Sequence, residues 1–198
     1  MIFQIKKFSQ KLLLPLGRKL SDIPANVFTV LSLFFSILSG LGFYLKSLPL
    51  IIISLFLIEF FDQLDGVIAR LQGPTKFGAF LDSTLDRYGD AAIFIGIILG
   101  EYTSPFLGIL AFIGAFLTSY TRARVESLHN KSLGGVGLLE RTDRVPLLLI
   151  GSIFQFFYPE AISWTMILMI IGSHITVFQR ILYAYKNLSR NREEKIIS

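Results

Sequence analysis

The sequence predicts an all-α integral membrane protein, with six transmembrane helices following an amphipathic helix that lies on the membrane surface. Composition is the first reason. Of 198 residues, 53% are hydrophobic and only 17% charged, with a mean hydropathy of +0.62, far from the balance of a soluble domain. The second is length, because six apolar stretches fit a hydrocarbon core of about 30 Å, which takes about 20 helical residues to cross. The third is the placement of Lys and Arg, which collect in alternate loops. The chain has no cysteine, which excludes a disulfide framework, thiolate catalysis and a thiolate zinc site.

The elements follow in order. Residues 1–20 carry apolar Ile2, Ile5, Phe8, Leu12 and Leu16 at spacings of three and four, with Lys6, Lys7, Lys11 and Arg18 elsewhere on the wheel. This pattern predicts an interfacial helix on the inner leaflet, the alternative being a disordered basic tail. No small-residue cleavage site follows, so the segment is read as retained. The spans are expected at about 26–45, 48–71, 77–99, 105–125, 144–157 and 162–185, the fifth being short. Together, about 26–185 form a single membrane domain, and 186–198 a basic cytoplasmic tail.

Charge tests this count independently. With the N-terminus inside, the cytoplasmic side receives the basic residues of the N-terminal helix, Arg70 and Lys76, the group Arg122, Arg124, Lys131, Arg141 and Arg144, and those from Arg180 onward. The other side keeps Lys46, with Glu101 and Glu160 in its remaining loops, and Arg87 falls inside the third span. Both termini and the acidic cluster described next are therefore expected on the cytoplasmic side of the cell membrane.

The stretch FFDQLDGVIARLQGPTKFGAFLDSTLDRYGD, residues 60–90, places Asp62, Asp65, Asp82, Asp86 and Asp90 at the ends of two apolar spans. A mid-membrane carboxylate costs at least about 2.5 to 3.5 kcal/mol on insertion scales, so such a cluster needs compensation. Asp62, Asp65 and Ala69 share one helical face, and Gly78, Asp82 and Asp86 another. Gly73 and Pro74 favour a tight turn that folds the two faces together. Four converging carboxylates with only oxygen ligands nearby point to a shared Mg²⁺, Mn²⁺ or Ca²⁺ that leaves positions open for phosphates. Gly66 and Gly78 leave room for a ligand or the facing helix, and Arg70 can hold phosphate oxygens bidentately. Asp90 extends the series, with a structural capping or pairing role as the alternative reading. Structural pairing with Arg70 and Arg87, a cation transporter and an aspartate-rich polyprenyl transferase are the competing readings. The hairpin arrangement, with Gly66 and Arg70 at fixed offsets, counts against the last two.

These residues resemble the signature of the CDP-alcohol phosphotransferase family, D-x2-D-G-x2-A-R-x7 or 8-G-x3-D-x3-D. It is present here in full as Asp62, Asp65, Gly66, Ala69, Arg70, Gly78, Asp82 and Asp86. The resemblance implies transfer of a lipid phosphate from a CDP-linked lipid to an alcohol hydroxyl, with release of CMP. It implies two divalent ions, Mg²⁺ or Mn²⁺, among Asp62, Asp65, Asp82 and Asp86, with Asp86 as general base. It also places Asp65, Gly66, Ala69, Arg70 and Gly78 against the CDP group, with Asn26 and Thr29 of the segment PANVFT nearby, and it implies a homodimer. Oxygen neutralisation and nucleophile positioning are what phosphoryl transfer requires.

The acceptor is read from SYTRARVE and GLLERTDR. Basic groups near an inner leaflet can simply contact headgroups, but Arg122, Arg124, Arg141 and Arg144 together suggest a second phosphate to be held. The two segments resemble the inositol-phosphate-using branch of the family, with Arg122 and Val125 as departures, and Arg180 in VFQRI is taken to complete the acceptor site. The expected donor is CDP-diacylglycerol or CDP-archaeol and the expected acceptor inositol phosphate. Glycerol phosphate, or a soluble di-inositol phosphate product, is the alternative, and no nucleic-acid partner is expected.

Overall fold

Prolines and small polar residues set where the helices start. The computed structural model of the chain describes residues 12–129 and 132–197, with side chains described for 12–128 and 132–188. A first helix, α1, covers 12–19. Pro24 precedes α2 (Ala25–Tyr44), and Pro49 lies in the first turn of α3 (Leu48–Gln72), where a missing N–H costs nothing. Thr75 caps α4 (Lys76–Leu99), its hydroxyl accepting from the Gly78 N–H at 2.9 Å. Pro105 opens α5 (Pro105–His129). A reciprocal capping box between Glu140 and Asp143 starts α6 (Arg141–Phe154), and α7 runs over Ala161–Ile197.

The starts and ends of α2, α3 and α4 match the expected spans closely, whereas α5 runs on to His129, four residues past the expected end, and α6 stops at Phe154 instead of near 157. The capping box starts α6 at Arg141 instead of near residue 144. Helix α7 continues through most of the segment expected as a tail. Among the described residues the chain is all-helical, and three helical stretches are long and apolar enough to cross a membrane: Ala25–Tyr44, Pro105–Leu128 and Ala161–Leu188. Helices α3 and α4 have the length but carry the carboxylates, and α6 has only 14 residues.

Helix α2 packs against both α3 and α4, α5 packs against α7, and the two groups meet where α3 touches α6 and α4 touches α5. The α2–α4 crossing brings backbone onto backbone. A Cβ at Gly96 would come within 2.1 Å of the Gly40 carbonyl oxygen, and one at Gly40 within 2.3 Å of the Ala92 oxygen. Only glycine permits that approach. The core between the groups is built from Phe43, Ile51, Leu55, Ile97, Val145 and Met166, among others.

The apolar face expected of the N-terminal helix divides in two. Leu16 packs with Phe28, Leu64 and Ile68, and Gly17 abuts Val67, whereas Leu12 is exposed. Ile2, Ile5 and Phe8 lie outside the described residues. Gln72 ties this region to the end of α3: its amide donates to the Ser21 and Ile23 carbonyls at 2.8 and 2.7 Å, and its oxygen accepts from the Ala25 N–H at 3.1 Å. The linker before α6 is strapped to α7 in a similar way. Thr176 Oγ1 accepts from the Leu138 and Leu139 N–H groups, and Gly137, at φ +150°, passes over the Thr176 methyl.

Candidate active site

Where the two helix groups meet, a cavity of about 460 Å³ is lined by five helices and the residue that caps α6. Helix α3 contributes Asp62, Asp65, Gly66 and Arg70, and α4 contributes Asp82, Ser83, Asp86 and Arg87. Helix α5 supplies Thr118, Ser119, Arg122 and Glu126, the start of α6 supplies Glu140 and Arg141, and α7 supplies Arg180. The i, i+3 and i, i+4 offsets within each hairpin arm put the carboxylates on the inward faces. The turn at Gly73, with φ +91°, reverses the chain. Contrary to the pairing expected from sequence, the two arms pack on α2 rather than on each other, so that it is the carboxylate side chains that converge.

One carboxylate oxygen from each of Asp62, Asp82 and Asp86 lies within 4.8 Å of the others. Arg141 joins two of them, its Nη1 donating to Asp62 Oδ1 at 2.8 Å and its Nη2 lying 2.5 Å from Asp86 Oδ1. Asp65 is buried beside this group, and its Oδ2 has no partner. A buried carboxylate oxygen without a donor is costly, and the Asp62 and Asp82 carboxylates stand near it. An oxygen-only set of this kind fits a hard divalent cation, so the residues present suit the expected metal.

The other end of the cavity is a network of alternating charge. Arg180 is almost completely buried; its Nε donates to the Val136 carbonyl at 2.8 Å, its Nη1 to the Thr118 carbonyl at 2.5 Å, and its Nη2 to Glu140 Oε1 at 2.6 Å. Arg122 donates from Nε to Glu126 Oε1 at 3.1 Å, with Nη1 3.9 Å from Glu140 Oε2. Sequence offered no acidic partner for Arg180, and the fold supplies one 40 positions away. Glu126 and Glu140 were not among the expected site residues, although both lie in the segments read for the acceptor.

The cavity therefore gathers Asp62, Asp65, Gly66, Arg70, Asp82, Asp86, Arg122, Arg141 and Arg180 from the expected set. It is not lined by Asn26, Thr29, Ala69, Gly78, Arg124 or Arg144. Asn26 and Thr29 sit one layer out, Asn26 Oδ1 being 3.3 Å from a Cβ built at Gly78. Arg124 is exposed, because two residues along a helix from Arg122 is about 200° around it. Arg144 is fully buried and reaches Asp90 instead, Nη2 to Oδ2 at 2.6 Å. Arg87 folds back onto the Ser83 carbonyl and hydroxyl.

A model of the family described as CDP-alcohol phosphatidyltransferase matches residues 23–178. The chain belongs to this family. As a CDP-alcohol phosphatidyltransferase it is a membrane-protein transferase of phospholipid synthesis, and the matched region spans every cavity residue except Arg180. It is 36% identical over 176 residues to an archaetidylinositol phosphate synthase of Pyrococcus horikoshii, covering 87% of this chain and 90% of the relative. It is 33% identical over 190 residues to one of Methanothermobacter thermautotrophicus, covering 95% and 96%. Its fold is similar to the crystal structure of Mycobacterium tuberculosis phosphatidylinositol phosphate synthase with CDP-DAG bound, with a TM-score of 0.77 and 28% identity over 88% of this chain and 94% of that one.

Proposed function

We propose that this CDP-alcohol phosphatidyltransferase moves the phosphatidyl or archaetidyl group of a CDP-linked lipid onto a hydroxyl of inositol phosphate, releasing CMP. The observation that carries the reading is one cavity with two unlike parts, a carboxylate group at Asp62, Asp82 and Asp86 that Arg141 bridges, and the arginines Arg122 and Arg180 paired with Glu126 and Glu140. The first part suits a pyrophosphate held with divalent ions. The second suits an acceptor that brings a phosphate of its own. The relatives named as archaetidylinositol phosphate synthases support the choice of acceptor, and a second crystal structure of the M. tuberculosis phosphatidylinositol phosphate synthase, in complex with manganese and citrate, supports the choice of metal.

In this reading Asp62, Asp65, Asp82 and Asp86 hold Mg²⁺ or Mn²⁺. When bound, such ions neutralise the phosphate oxygens and make the phosphorus easier to attack. Arg70, at the rim beside Gly66, holds the donor's phosphates, with Asn26, Thr29, Ala69 and Gly78 supporting the nucleotide end of the hairpin. Arg122 and Arg141 hold the acceptor phosphate, and Arg180 fixes Glu140 and the linker before α6. The acceptor hydroxyl attacks the lipid-side phosphorus, its proton passes to the Asp86 carboxylate, and the bond from that phosphorus to the CMP oxygen breaks with its electron pair leaving on CMP. Arg124 and Arg144 are left outside this chemistry by their positions.

The reading includes six membrane spans, α2 to α7, with both termini and the cavity on the cytoplasmic side, and a homodimer. Wide exposure of Phe34, Ile37, Phe106, Ile113, Leu168 and Phe178 is what lipid-facing helices need. The test is an acceptor screen with purified full-length protein, CDP-diacylglycerol or CDP-archaeol, and Mg²⁺ or Mn²⁺, reading CMP. Inositol phosphate should give the fastest release. Faster release with glycerol phosphate would reassign the acceptor, and no CMP with any alcohol would overturn the enzyme reading for this chain.

A further inference from the structure

Arg141 is placed unlike the other cavity arginines. Arg122 and Arg180 pair with Glu126 and Glu140, neither of which belongs to the hairpin. Arg141 instead spans the hairpin, with one nitrogen on Asp62 of α3 and the other on Asp86 of α4. Those residues, with Asp82, form the group whose oxygens approach within 4.8 Å. A guanidinium bonded to both arms of a carboxylate group and a divalent ion held by the same carboxylates repel each other strongly in a partly dry cavity.

We infer that Arg141 is an exchangeable internal cation, which caps the Asp62–Asp86 carboxylates until a divalent ion displaces it and which is then free to turn toward an anion in the same cavity. The structure supplies the means for the turn. Arg141 is the first residue of α6, directly after the capping residue Glu140 and a linker with positive φ at Gly135 and Gly137. Its Nε is buried without a partner, so the carboxylate-facing pose leaves one donor unsatisfied. Arg144, one turn on, stays fixed to Asp90 and keeps the α6 backbone in place while the Arg141 side chain moves. The consequence is an order of assembly, with cation first and acceptor phosphate second. That second step rests on the functional reading above; the displacement by a cation does not.

The test is therefore made without donor or acceptor. Mn²⁺ binding to detergent-purified full-length protein is measured by the electron paramagnetic resonance of free Mn²⁺, for wild type, Arg141→Gln, Arg141→Lys and Arg122→Gln. Arg141→Gln should bind Mn²⁺ about tenfold or more tighter than wild type, as expected when a competing charge at contact distance is removed. Arg141→Lys should fall between them, and Arg122→Gln should change little. Equal or weaker binding by Arg141→Gln overturns the inference, as does an equal gain in Arg122→Gln, which would show a general field effect. Wild type provides a second arm that no folding defect can spoil. Modification of Arg141 by phenylglyoxal, read by mass spectrometry, should rise on saturation with Mn²⁺, and unchanged reactivity also overturns the inference.

Discussion

The Arg144 guanidinium and the Asp90 carboxylate lie 2.6 Å apart across 54 positions, both largely removed from solvent. This pair joins the second turn of α6 to α4 one turn beyond Asp86, and so sets how the two helices face each other behind the cavity. Breaking a buried pair by removing one partner strands a charge and costs about 3–5 kcal/mol. Arg144→Ala should therefore lower thermal stability in detergent strongly, and Arg144→Met with Asp90→Leu should recover much of it. The same single variant should weaken CDP-lipid and inositol phosphate use together. A selective rise in the acceptor requirement, with stability intact, would return Arg144 to the acceptor site.

Gly96→Ala should destabilise by about 2–3 kcal/mol, because its Cβ has no room at the α2–α4 crossing and overpacking must push the helices apart. Gly134→Ala, whose Cβ would meet only the Ser132 hydroxyl at 3.5 Å, is the control and should stay within about 0.5 kcal/mol. Thermal unfolding in detergent compares them. Equal effects would mean that the close crossing is not a determinant of the fold.

The hairpin could be read from sequence because its information is local: carboxylates at helical offsets, a Gly-Pro turn, and a run of apolar residues on either side. Two departures had local signals as well. The box between Glu140 and Asp143 marks the start of α6, and the angle between Arg122 and Arg124 decides which of them faces inward. The remaining site contacts had none. Arg141 meets Asp62 over 79 positions and Arg180 meets Glu140 over 40, and no periodicity links residues that only tertiary packing brings together. Arg144 shows the limit from the other side, since its spacing from Arg141 suited a shared face while its length let it reach a different carboxylate.

Divalent ions should stabilise the protein as well as activate it. A ligand at about 100 times its dissociation constant adds about 2.7 kcal/mol when it binds only the folded state. Protein stripped with EDTA should release no CMP and should melt at lower temperature, and Mn²⁺ or Mg²⁺ should restore both. Asp62→Asn with Asp82→Asn should lose the thermal shift. A shift of unchanged size in that double variant would place the cation elsewhere.

Glu140→Gln should act on the acceptor end. It removes the charge that Arg180 and Arg122 share, and a hydrogen bond to a charged group is worth about 1.5–3 kcal/mol. The KM for inositol phosphate should move by about tenfold or more in consequence, with a much smaller change for CDP-lipid. Equal changes in both would make Glu140 a purely architectural cap of α6.

Asp86→Asn separates proton transfer from donor binding. Asparagine keeps the size of the side chain and an oxygen toward the cavity, but it cannot take the acceptor's proton. General base catalysis contributes about 10²–10⁴-fold, so turnover should fall by at least that much. Binding of radiolabelled CDP-lipid should stay near wild type, because Asp62, Asp65 and Asp82 remain. The α6 start should hold its place in this variant, because Arg144 stays paired with Asp90. Turnover within tenfold of wild type would move the base to another carboxylate. Asp82 is the next to examine, because it shares the inward face of α4 one turn earlier.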